Sequence, residues 1–133
     1  MTLSLQTTAE YRRILVDGVY YYGKHLVLSA TTCNDQLLSL DAINQFLKTL
    51  VVRIDMVAFG EPLAARFGSG IEEGISAVQL IETSAITIHT NDQARDLYLD
   101  VFSCKGYNEL DVLDFVRETF APADMNYQVL MRK

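Results

Sequence analysis

Residues 85–104 do most to limit what this chain can become. "AITIHT" (85–90) and "LYLDVFSC" (97–104) each alternate apolar and polar residues, and "NDQARD" (91–96) between them is turn-forming. Period-two alternation puts successive side chains on opposite faces of a strand, so the two segments read as a half-buried antiparallel hairpin. The apolar sets choose the register. Ile86 and Ile88 must share the core face with Leu97, Leu99 and Val101, because a one-residue slip would turn the whole set to solvent. With His89 opposite Tyr98, Thr87 faces Asp100, Ala85 faces Phe102, and residue 83 faces Cys104; a register shifted by two puts Cys104 opposite residue 81, still nearby. His89 and Cys104 then share the other face, and the thiol lies beside the peptide bond between Thr83 and Ser84.

The remaining elements follow from the same patterning. "YYYGKHLVLSATT" (20–32) reads as a first strand, and "VRIDMVAF" (52–59) as a second. Between them "LLSLDAINQFLKTLVV" carries apolar residues at 40, 43, 46, 47 and 50, which is helical spacing. "GEPLAARFGSGIEEG" (60–74), with four glycines and a proline, reads as a loop before the strand "ISAVQLIET" (75–83). "NELDVLDFVRETF" opens on Asn108 as an N-cap, with Asp111 three residues later in the manner of a capping box. Leu110, Leu113, Val116 and Phe120 give that helix one apolar face, ending before Pro122. "MNYQVLMR" (125–132) is the last strand, and residues 1–18 form a polar lead-in that Gly18 closes. Strands outnumber helices and the connections are short. The expected fold is therefore an α+β two-layer sandwich, a mostly antiparallel sheet with two main helices on one face. The open face of such a sheet is expected to meet a second copy, giving a homodimer.

The 133 residues suit a single domain spanning 1–133, and half of them are hydrophobic. A formal charge of −6 argues against nucleic acid, whose phosphates need a basic face, and suits a cationic substrate. No apolar run is long enough to span a membrane, and "MTLSLQTTAEYRRILVDG" lacks the basic-then-apolar pattern of a secretory signal. The expected compartment is the cytoplasm, where Cys33 and Cys104 stay reduced. Two thiols without further ligands make no metal site.

Ser84, His89 and Cys104 each have an ordinary structural explanation when taken alone. Their interest lies in convergence of a hydroxyl, an imidazole and a thiol near one peptide bond. One obstacle stands out. In a regular strand Ser84 and His89 occupy opposite faces, so they meet only if the chain kinks near residues 83–84.

These residues carry a resemblance to a known family. "GKHL" (23–26), Cys33 ahead of the first helix, "GIS" (74–76), Ser84 followed by "HT" (89–90), and "DVFSC" (100–104) together resemble the bacterial and archaeal S-adenosylmethionine decarboxylase proenzymes. The resemblance implies self-cleavage between Thr83 and Ser84, which turns Ser84 into a pyruvoyl cofactor. That ketone forms a Schiff base with the substrate amine and acts as an electron sink during decarboxylation. It implies His89 as proton acceptor in processing, Cys104 as the acid that protonates the product carbon, and an assisting role for Ser76. Glu72 and Glu73 are candidates to hold the positive head of a small cationic amino acid. The chain departs from the family at Thr83, where glutamate is usual, and at "NDQ" (91–93), where tryptophan-proline-glutamate is common. Those departures leave room for arginine or ornithine as substrate, or for a non-processing regulatory homologue.

Overall fold

The computed structural model describes residues 11–133. In chain order it contains strands β1 (Ile14–Val16), β2 (Val19–Tyr21) and β3 (Gly23–Thr31), helix α1 (Leu40–Arg53), strands β4 (Leu63–Phe67), β5 (Gly74–Ile81), β6 (Ser84–Asn91) and β7 (Asp96–Ser103), helix α2 (Glu109–Phe120) and strand β8 (Asp124–Arg132). The hairpin expected at 85–104 is β6–β7, with Ile86 opposite Val101, Ile88 opposite Leu99 and His89 opposite Tyr98. It forms the middle of a six-stranded sheet of order β4-β5-β6-β7-β3-β8, antiparallel throughout.

Both helices cover one face, as the sandwich reading requires. Ser39 caps α1 by accepting the Ala42 N–H at 3.1 Å, and Asn108 caps α2 by accepting the Leu110 N–H at 3.0 Å. Ile43, Phe46, Leu47 and Leu50 of α1 and Val112, Leu113, Val116 and Phe120 of α2 are buried against Leu26, Leu28, Ile86, Leu97 and Leu99 of the sheet. Phe46 stacks on Phe115 with ring centroids 4.8 Å apart and meets Phe120 at 4.9 Å. Each fully buried side chain of this size contributes roughly 1.5–3 kcal/mol relative to exposure. Leu110 differs from expectation: it lies in the first turn of α2 and stays exposed.

Three segments depart from the sequence reading. Residues 52–59 do not form a strand. Val51 and Ile54 are buried by α1 and its C-terminus, which extends the helical phase, and the rest meets the sheet through the Ala58–Ile81 bridge and through Met56, whose sulfur accepts from the Ser103 hydroxyl at 3.5 Å. The loop expected at 60–74 contains β4, whose Leu63, Ala65 and Phe67 alternate outward on an edge strand, so the glycines bracket a strand. Within the described part of the lead-in, residues 14–21 form the hairpin β1–β2. Asp17 and Gly18 sit between its strands at φ 48 and 80, the positive pair that a tight two-residue turn demands. The rest of the lead-in, residues 1–10, lies outside the described residues.

Among the described residues no helix covers the other face of the sheet. Val27, Leu63, Phe67, Leu80, Tyr98 and Leu130 all project from it and are exposed.

Candidate active site

The turn that joins β5 to β6 has only two residues, Glu82 and Thr83, because Ile81 pairs directly with Ser84. Thr83 sits at φ 61. A β-branched residue in the left-handed region carries strain of about 1–2 kcal/mol. Its hydroxyl donates to the Glu82 carbonyl at 2.6 Å and lies 2.6 Å from the Cys104 sulfur, so the thiol is left to donate to the Thr83 oxygen. The Cys104 backbone N–H donates to the Ser84 hydroxyl oxygen at 3.0 Å. The expected neighbourhood of Cys104 and the 83–84 peptide bond is therefore formed, and it comes from register: β7 ends opposite the point where β6 begins.

His89 stands elsewhere. β6 runs from Ser84 to Asn91 as one strand, with no kink that would fold His89 back. Five residue rises separate the two side chains by ~16 Å, and they project to opposite faces. On the open face His89 Nδ1 lies 2.6 Å from the Ser76 hydroxyl, its cross-strand partner. The hydroxyl holds the ring in one orientation. Gly74 at the start of β5 makes this close approach possible, since a Cβ there would lie 1.8 Å from the Thr90 carbonyl oxygen.

Glu72 and Glu73 lie at the His89 end of the sheet, not beside Ser84. Glu73 stands 3.6 Å from Arg66, which pairs more closely with Asp92 at 2.7 Å. His25 pairs with Asp100 at 3.1 Å on the open face. Both cysteines are free. Burial, with a smaller push from Asp96, raises the Cys33 thiol to about 11, so it is an unreactive core residue. Among the described residues no cluster of His, Cys, Asp or Glu could hold a metal ion.

A cavity of about 590 Å³ opens at the Ser84 end, with Thr83, Glu82 and Cys104 in its wall. That volume falls within the range of small-molecule sites. Lys105 also faces it, tied to Asp55 by a 3.3 Å ion pair. Tyr11, Arg13, Ile14 and Tyr22 complete the wall from the N-terminal hairpin arm. Sequence reasoning missed Tyr11, Arg13 and Ile14 because it took residues 1–18 for a lead-in, and it read Tyr22 only as part of the first strand; the Asp17-Gly18 pair between two apolar triplets was the available signal.

A profile of the family described as S-adenosylmethionine decarboxylase matches residues 24–133. The S-adenosylmethionine decarboxylase proenzyme of Clostridium botulinum (strain Langeland) is 28% identical over 114 residues, covering 84% of this chain and 95% of that protein. The arginine decarboxylase proenzyme of Caldivirga maquilingensis is also 28% identical over 114 residues, covering 83% of each. Among solved structures, the adenosylmethionine decarboxylase from Aquifex aeolicus superimposes with a TM-score of 0.74 over 86% of this chain and 92% of that one, at 19% identity. The two share a fold. The hairpin β1–β2 precedes the matched segment.

Proposed function

The chain belongs to the S-adenosylmethionine decarboxylase family of carboxy-lyases, and from that premise we propose that it is a cytoplasmic proenzyme, a single domain over residues 1–133, that cuts itself between Thr83 and Ser84 and decarboxylates S-adenosylmethionine for polyamine biosynthesis. One observation carries this reading: a strained turn holds the Ser84 hydroxyl and the Cys104 thiol at the same peptide bond. Attack of the Ser84 oxygen on the Thr83 carbonyl forms an ester and breaks the C–N bond, the proton passing to nitrogen. Loss of the Ser84 α-proton then expels the Thr83 carboxylate. Water adds, ammonia leaves, and residue 84 is left as a pyruvoyl group.

The residues present suit that group. The Cys104 N–H already holds the oxygen of its precursor, and the cavity beside it admits a small molecule. A ketone at this position supplies the electron sink that decarboxylation needs and that ordinary side chains lack. In this reading the Cys104 thiol returns a proton to the product carbon, a contribution of roughly 10²–10⁴-fold for a positioned acid.

His89 cannot accept the Ser84 α-proton in its own chain. In this reading a second copy docks open face to open face. A twofold axis perpendicular to the strands then lays the Ser76–His89 end of one sheet over the Ser84 end of the other. The exposed apolar side chains of that face support such a homodimer. Glu72 and Glu73 travel with His89 toward the rim of the neighbouring cavity, where their charge would favour the approach of a cationic substrate. Arginine as substrate is the second reading, favoured by equal identity to the arginine decarboxylase proenzyme.

Denaturing mass spectrometry tests the cut: fragments 1–83 and 84–133 are expected, the latter with a blocked N-terminus. A chain that stays intact through long incubation defeats the proposal and leaves a non-processing regulatory homologue. Mixing Ser84→Ala with His89→Ala tests the two-copy site. Each alone should stay whole, whereas the mixture should cleave the His89→Ala chain; no cleavage in the mixture overturns the two-copy site.

A further inference from the structure

The cavity beside Thr83 is closed on one side by residues outside the family-matched segment. This arm is fixed to the sheet. The Tyr22 N–H donates to the Arg132 carbonyl at 2.7 Å, and Tyr22 packs between Tyr11 and Phe102 with ring centroids 5.1 and 6.1 Å apart. Four charged residues line the cavity: Arg13, Asp55, Glu82 and Lys105. Lys105 is spent on Asp55, donating to its carbonyl at 2.6 Å and pairing with its carboxylate at 3.3 Å. Among the described residues the side chains of Arg13 and Glu82 have no hydrogen-bond or ion-pair partner. The cavity therefore presents one free cation and one free anion.

A cationic amino acid has matching groups. Once its α-amine is engaged at residue 84, it retains one carboxylate and one positive head. We propose that Arg13 binds the substrate carboxylate and Glu82 the positive head, so that the N-terminal hairpin is a specificity wall of the amino-acid site. This rests on the reading of residue 84 as the reacting group. Guanidinium is the donor best matched to a carboxylate, through two parallel N–H···O bonds. Because the carboxylate departs as carbon dioxide, the contact is strongest before reaction and serves binding more than acceleration.

The test uses the full chain carrying Ser84→Ala, which cannot cleave or turn over. Calorimetric titrations compare S-adenosylmethionine with its decarboxylated amine, and arginine with decarboxylated arginine. Adding Arg13→Ala should weaken binding of the acid about tenfold and leave the amine within about twofold, as loss of one charge-assisted contact implies. Adding Glu82→Gln should weaken acid and amine by the same factor, since both keep the positive head. The proposal is overturned if Arg13→Ala affects both ligands alike or neither, or if Ser84→Ala binds none of them. Self-cleavage is scored separately on the natural chain. Discrimination by Arg13 in a protein that never cleaves would keep this inference and sink the enzyme reading; cleavage without discrimination would do the reverse.

Discussion

Thr83 holds a backbone conformation that its branched side chain opposes, at the bond proposed to break. The two-residue turn requires a positive φ there, and glycine would supply it without a Cβ clash. Thr83→Gly in the uncleavable Ser84→Ala chain is expected to gain about 1 kcal/mol, or roughly 3 °C in a thermal melt. No gain would mean that the hydroxyl contacts to Glu82 and Cys104 outweigh the strain. At this scale the Ser84–Cys104 neighbourhood was legible, because alternation fixes the parity that buries Ile86, Ile88, Leu97, Leu99 and Val101, and registers two residues apart both keep Cys104 near residues 81–83. The separation of His89 from Ser84 was legible too, as a parity conflict within β6. Its resolution was not, because a single chain's pattern says nothing of what a second copy brings. Glu72 and Glu73 were grouped with the site by charge, whereas the strand length of β5 carries them to the far end.

Helix α2 is tied to the sheet at its first turn. Glu109 pairs with Lys24 of β3 at 2.9 Å, and the same ammonium donates to the Tyr107 carbonyl at 2.6 Å. The Lys24 hydrogen bond holds the Glu109 carboxyl below its usual range. A lowered carboxylate stabilises the fold above its unfolded value near 4.5 and loses that contribution as pH falls through the folded value. Glu109→Gln should therefore cost about 0.5–1 kcal/mol at neutral pH, and its melting curve should converge on the parent's near pH ~3. A constant gap across that range would assign the loss to packing. Both helices were readable from period and caps, since Ile43, Phe46, Leu47 and Leu50 repeat at helical spacing. What misled were composition cues. Val51, Val52 and Ile54 look like the opening of a strand but are the last turn and end of α1, and glycines around 60–74 mark the limits of β4.

Chain order and spatial order disagree across the whole molecule. A cut at residue 83 would assign β3, α1, β4 and β5 to one fragment and β6, β7, α2 and β8 to the other. Yet β3 lies between β7 and β8, so the β5–β6, β3–β7 and β3–β8 ladders would all join the two pieces. The cleaved fragments are expected to co-elute in gel filtration and to part only in denaturant; separation under native conditions would contradict the interleaved sheet. Such threading has a cost in time rather than in equilibrium. A nicked molecule that unfolds releases two polypeptides that must find each other again by diffusion, so recovery slows with dilution. Its working lifetime would then be set by how rarely it opens, and a severed copy that comes apart in dilute solution is effectively spent.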